Sequence, residues 1–286
     1  MSNQPAKLIV GVWQGRCADG NLARNIARTE EVIDEAARAG CDFVCLPETF
    51  LSGYGSREII ERGALDLGDK RLLDLAKRAA DRNVVTLVGL AERRGNEIAN
   101  TAVVLDGGKV AGAYRKTMLT GGDANKMGFC WGTEQPVFEA RGVTFGIQIC
   151  HDSSFPEIAS ILAWKGARLL FSPHYNAIPV ANMDDHRIRV RNNHIGVAAH
   201  FGLVVARANV IVPESKDGAL GYGDSAIFSP LGAPLAEAGL FTERLIFADV
   251  GPWLTRANPF VSRRELTLPI IETWAAAARK VLERPA

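Results

Sequence analysis

Short apolar runs alternate with amphipathic stretches along most of this chain, and that alternation limits the fold more than any other feature. KLIVGVW reads as a buried strand. Asn21 to Ala39 follows as a helix with Leu22, Ile26, Ile33 and Ala37 on one face and Gly40 as its stop. DFVCLP is the next strand, Lys70 to Arg82 the next helix, and VVTLVGLAE another buried strand. The pattern then changes to hairpins. TAVVLDGGKVAGAYRK turns at Asp106-Gly107-Gly108, and PVFEA and VTFGIQIC flank Arg141-Gly142. Thr120 to Gly132 has no period and reads as loop. Phe155 to Trp164 is a helix opened by Pro156, ARLLFSP a strand, Met183 to His200 a helix and GLVVARANVIV a strand region. A last hairpin, SAIFSPLGAPLAEA, the strand RLIFADV and a terminal helix from Ile271 to Leu282 complete the pass. Strand–helix alternation mixed with hairpins predicts α/β layers around a mixed sheet. With no linker or repeat in the sequence, one domain over 1–286 is expected, with 251–286 as a C-terminal segment.

Composition excludes several functions. Hydrophobic residues make up 47% and charged residues 23%, with a net charge of +1 and no run of like charges. The basic footprint of a nucleic-acid binder is missing. No apolar stretch reaches the length of a membrane span, and MSNQPAKLIVGVW lacks the layout of a secretory signal. Five cysteines with no Cys-x-x-Cys pair argue against a zinc site and for reduced thiols in the cytoplasm. No phosphate loop, Gly-x-Gly-x-x-Gly fingerprint or Gly-x-Ser-x-Gly elbow occurs.

Three residues stand where an apolar run stops: Glu48 after DFVCLP, Lys116 after VAGAYR and Cys150 after VTFGIQI. A carboxylate can take a thiol proton, the thiolate can attack a carbonyl or nitrile carbon, and an ammonium can hold the developing charge. Each residue also has a bland reading: a turn acid, a surface lysine and a small apolar strand-end residue. Their sequence surroundings decide between the two. VGVWQGRCADGNLARNI, LPETFLSGY, YRKTML and ICHDSSFPE, in this order, resemble the nitrilase (carbon–nitrogen hydrolase) superfamily, and GDSAIFSPLGAPLAEA and SRREL extend the likeness over nearly the whole chain.

The resemblance implies a four-layer α-β-β-α sandwich with two mixed six-stranded sheets. It also implies homodimers or larger homo-oligomers, packed through the helix after the cysteine and the C-terminal segment. Glu48 becomes the base, Cys150 the nucleophile and Lys116 an oxyanion donor beside the N–H that follows the cysteine. No cofactor is implied. Many members carry a second glutamate between the lysine and a landmark that here matches Phe129-Cys130-Trp131-Gly132. Asp123 and Asn125 are the candidates to replace it. A family acid–asparagine pair is matched here by His200 and Phe201.

Cys150-His151-Asp152 is closer to amidases and carbamoylases than to nitrilases, which usually show Cys-Trp-Glu. Ser153 and Ser154 stand where many carbamoylases place arginines, so a carboxylate clamp is expected only if Arg187, Arg189 or Arg191 supplies one. Tyr54, Trp131, His151 and His174 are the candidate pocket-lining residues. The function expected is hydrolysis of a small non-peptide amide through a thioester. An N-carbamoyl amide hydrolase is the alternative, and a nitrilase or a non-catalytic binding protein of the same fold stands behind both.

Overall fold

The computed structural model describes residues 5–213, 218–255 and 264–283. It begins with strand β1 (Ile9–Arg16), helix α1 (Leu22–Arg38) and β2 (Phe43–Cys45), followed by α2 (Arg57–Gly63) and α3 (Lys70–Asp81). Strands β3 (Val85–Arg94), β4 (Glu97–Asp106) and β5 (Lys109–Arg115) form a meander, and β6 (Val137–Ala140) and β7 (Val143–Ile147) a hairpin. Next come α4 (Pro156–Trp164), β8 (Leu169–His174), β9 (Ala177–Pro179), α5 (Met183–Phe201) and β10 (Val204–Val212). Strands β11 (Ala219–Tyr222), β12 (Ala226–Phe228), β13 (Pro234–Glu237) and β14 (Arg244–Asp249) lead to α6 (Gly251–Thr255) and α7 (Arg264–Leu282).

The fold is mixed α/β, and fourteen strands among the described residues join in one hydrogen-bonded network. One path runs β5–β4–β3–β2–β1–β14, and a second runs β6–β7–β8–β10–β12–β13. The two meet where β1 and β10 pair in parallel at Gly15↔Val210 and Arg16↔Ile211. Parallel pairs lie at the centre of each path and antiparallel ones at its flanks, as crossover helices and hairpins require.

The alternation of side chains along the strands divides the core. Val10, Val12, Phe43 and Cys45 from the first path share one cluster with Phe145, Ile147, Phe171 and Ala206 from the second. Phe43 meets the Phe145 ring edge-on at 5.5 Å, an arrangement worth about 1 kcal/mol beyond area burial. Trp13, Val44 and Val88, on the opposite strand faces, pack with Val32, Ile33 and Ala36 of α1 and Leu72 and Leu75 of α3. Leu170, Val205 and Phe228 pack with Ile158 and Leu162 of α4 and Val197 of α5. Helix α1 forms because its buried residues recur on one face and because the Asn21 side chain accepts a hydrogen bond from the Arg24 N–H at 3.1 Å.

Two compact units divide the chain, Met1–Arg256 and Ala257–Ala286. The second contains α7, which exposes Leu268, Ile270, Trp274, Val281 and Leu282. Within the SRREL stretch, residues 262–263 lie outside the described residues. No described helix is long and apolar enough to cross a membrane.

Candidate active site

Glu48 follows Pro47 directly beyond β2, Lys116 follows β5, and Cys150 opens a short 3-10 turn beyond β7. Close backbone packing places the first two. A Cβ on Gly89 would lie 2.3 Å from Thr49 N and 2.7 Å from Pro47 O, so β3 touches the Glu48 loop only because residue 89 is glycine. A Cβ on Gly132 would lie 2.1 Å from Arg115 O, which lets the chain cross directly over the Lys116 backbone. Cys150 has φ of +49°, a conformation side-chain-bearing residues rarely adopt. That local strain is held in place by Asp152, which is fully buried. Asp152 accepts from the N–H of Ile149 at 2.7 Å, the N–H of Met118 at 2.8 Å and the Tyr114 hydroxyl at 2.8 Å. One carboxylate thus ties the cysteine turn to the lysine loop.

The Lys116 ammonium, 1% exposed, bridges two carboxylates: Glu48 Oε1 at 2.7 Å and Asp123 Oδ2 at 2.8 Å. Of the two candidates to replace the second glutamate, Asp123 contacts the lysine and Asn125 is exposed. Asp123 also accepts from Tyr54 OH at 2.6 Å and from the Thr120 N–H and hydroxyl, both at 2.9 Å. Glu48 accepts further from Asn100 Nδ2 and the Tyr175 N–H, each at 2.8 Å. Both carboxylates have fixed positions, and the lysine is aimed by both.

Burial sets the electrostatics. It raises the Glu48 carboxyl above the usual carboxylate range, against the pull of Lys116. Burial alone would lower Lys116, but the charges of Glu48, Cys150 and Asp123 outweigh it and hold the ammonium well above its ordinary value. Asp123 resists burial through Lys116 and its own hydrogen bonds, and is lowered. Burial, with Glu48 adding to it, pushes the Cys150 thiol far up. Burial therefore favours the thiol form, and Glu48 is the carboxylate whose charge acts most strongly on it.

A cavity of about 360 Å³ opens onto this cluster. Lys116, Cys150, Tyr54, His151 and His174 line it, and Arg189 and His186 reach it from α5. Trp131, expected at its wall, is 54% exposed and lines a different hollow beside Arg94 and Arg115. The reason is local: Cys130 bridges to Ala99, and Gly132 N–H bonds to Lys116 O, so the intervening indole faces outward.

The carbon–nitrogen hydrolase family model matches residues 9–258, which span every residue of this cluster. The chain belongs to the carbon–nitrogen hydrolase family. It is 30% identical to the (R)-stereoselective amidase of Pseudomonas sp over 77% of each chain. It is 27% identical to the N-carbamoylputrescine amidase of Solanum tuberosum over 87% of this chain and 88% of that one. Among solved structures it superposes on an amidase from Nesterenkonia sp. with a TM-score of 0.75 and 24% identity, covering 93% of this chain and 96% of that one. The likeness places this hydrolase in the amidase-like branch of the nitrilase superfamily.

Of the three arginines on α5, two are engaged. Arg187 lies near Asp184 and Asp224, and Arg191 pairs with Asp224 and Glu237. Arg189 lines the cavity and has no acidic partner among the described residues. Sequence reasoning missed several residues of the hydrolase site. Asn100 lies mid-strand in β4, Asn176 follows β8, and Arg207 reads as a charge inside an apolar run. A charge in the middle of GLVVARANVIV was the one anomaly that could have flagged Arg207.

Proposed function

We propose that this hydrolase cleaves a small non-peptide amide through a thioester on Cys150. The observation that carries the reading is the buried Glu48–Lys116–Asp123 ion cluster beside a cysteine that lines the same cavity. Glu48 takes the thiol proton, and the sulfur attacks the carbonyl carbon. The Lys116 ammonium and the His151 backbone N–H receive the oxyanion, a donor of this kind being worth about 3 kcal/mol. On collapse the C–N bond breaks and the amine leaves with the proton from Glu48. Glu48 then deprotonates a water, which attacks the thioester, and the sulfur leaves to regain its proton.

A ureide substrate is the second reading. Arg189, which has no acidic partner among the described residues, lines the cavity and favours a ureide or amide that carries a carboxylate, because such a group would give the guanidinium a partner. A panel of amides, ureides and nitriles assayed for ammonia release tests both, with Cys150→Ala as the blank. Turnover of a simple amide and an acyl adduct on Cys150 by mass spectrometry are expected. Ureides turned over without simple amides would shift the assignment, and undiminished release by Cys150→Ala would end the thiol mechanism.

The proposal extends to the assembly. The two six-strand paths stack face to face with helices outside, a four-layer sandwich supported by the shared cluster between them and the separate clusters under the helices. The exposed Ile270, Trp274 and Val281 of α7 support homo-oligomer formation. All five cysteines are free thiols, which supports a reducing, cytoplasmic location.

A further inference from the structure

Arg207 is 2% exposed in the middle of β10, and a buried guanidinium is costly unless its donors are used. Its Nη1 donates to the carbonyls of Asp224 and Gly223. Its Nη2 donates to Asn176 Oδ1 at 3.0 Å and faces Tyr222 OH at 3.4 Å. The nearest carboxylate oxygen, Asp224 Oδ2, is 3.8 Å away.

Asn176 is the link to the chemistry. Its side chain is almost fully buried, and its backbone N–H is fixed by Asn209 Oδ1 at 3.0 Å. An arginine has donors only, so the Asn176 atom that faces Nη2 must be the carbonyl oxygen. That fixes which end of the amide points the other way. Nδ2 lies 3.4 Å from Cys150 Sγ, and a donor aimed at sulfur favours the thiolate over the thiol. The groups around that sulfur pull in both directions. Glu48 and Asp123 oppose its ionisation and Lys116 assists it, with Tyr54 and Tyr222 close by and neutral.

We propose that Arg207 is a positioning residue that locks the Asn176 amide with its N–H groups toward Cys150, so that the departing thiol proton leaves a sulfur already held by a donor. The inference rests on the thiol-hydrolase reading. Without Arg207 the amide is free to turn its oxygen toward sulfur, where it repels the thiolate. Arg207 never touches the substrate, so its effect passes through Asn176.

The test is the pH dependence of Cys150 alkylation by iodoacetamide, with the modified cysteine located by mass spectrometry. Asn176→Asp is expected to slow alkylation at pH 7 by about tenfold and to move the profile about one unit upward. Arg207→Met gives a smaller loss, and Arg207→Lys restores part of it because an ammonium can still donate to Oδ1. Combined with Asn176→Ala, Arg207→Met has no further effect on the alkylation profile, which a purely structural role for the arginine would not produce. Should Arg207→Met fail to fold, the Asn176 variants and Arg207→Lys decide the matter. Unchanged profiles in them, or an Arg207→Met loss that persists beside Asn176→Ala, overturn the inference and leave the hydrolase reading intact. A Cys150 in the unmodified chain that does not alkylate, or alkylates equally in Glu48→Gln, overturns the hydrolase reading and the inference together.

Discussion

A lysine with two carboxylates on it is over-supplied with negative charge, and the excess explains how the site divides its work. Asp123 is lowered and favours its ionised form, so in the proposed mechanism it anchors Lys116 throughout a turnover. Glu48 is raised, which suits the proposed role of picking up and releasing a proton while the ammonium remains held. Two predictions follow at this scale. Lys116→Met is expected to lower kcat by about 10²- to 10³-fold with little change in KM, because the lost donor acts on the oxyanion. Steady-state kinetics on the best amide measures the split, and a pure KM effect would contradict the assigned role. The acid limb of kcat/KM is expected above the ordinary glutamate value of about 4.3, since the base must be ionised before it can accept. A limb at or below that value would show that Glu48 is not the group titrating.

The elements matter because each delivers one of these groups from a strand end, and the delivery depends on packing that no local signal announces. The strands carrying Glu48, Lys116 and Cys150 were legible as apolar runs, and the three residues themselves as polar groups at their ends. Their convergence came only from the family resemblance and not from the residues themselves, because it depends on parallel pairing between strands far apart in the chain, such as β1 with β10. The stretch from Thr120 to Gly132 reads as loop, yet Gly122–Met127 forms a π-helical turn that carries Asp123 inward. The turn follows from the buried contacts of Asp123 and Met127, not from any period in the sequence. Strands β9 and β11 and helix α2 escaped the reading because each is short and half exposed. Gly132→Ala tests the packing directly. Its Cβ would collide with the Arg115 carbonyl, a backbone group that can give way only by moving Lys116. A stability loss of about 1–3 kcal/mol in urea unfolding is expected, with a larger proportional loss of activity. An active, stable Gly132→Ala would show that the lysine loop tolerates displacement.

At the scale of the whole molecule, the site imposes an acid sensitivity that its buried histidines carry. His174 and His194 are fully buried with their Nε2 atoms 3.2 Å apart, and both reach the Ser172 hydroxyl. His194 Nδ1 lies 2.7 Å from Val190 O, so that nitrogen carries the proton and its Nε2 can only accept. A further proton on this pair would create a buried cation close to the Arg207 charge. Burial, assisted by the Arg207 charge, holds His174 well below its usual value and lowers His194 to about 3. The unfolded chain binds those protons near pH 6.5 while the native state refuses them. Their contribution to stability is therefore complete above about pH 6.5 and is lost as pH falls below it, at up to ~1.4 kcal/mol per unit for each histidine. Asp123, also lowered, adds to the loss only below the ordinary carboxylate range, near pH 4. Glu48 acts in the opposite sense, since a raised carboxyl regains stability as it protonates, and it offsets part of the slope. Melting temperatures from pH 7.5 to 5 should fall steadily for the unmodified chain. His194→Asn keeps a donor for Val190 but cannot titrate, so it should melt lower at pH 7.5 and show a shallower decline. Equal slopes in the two proteins would mean that the acid sensitivity arises elsewhere than in this histidine pair.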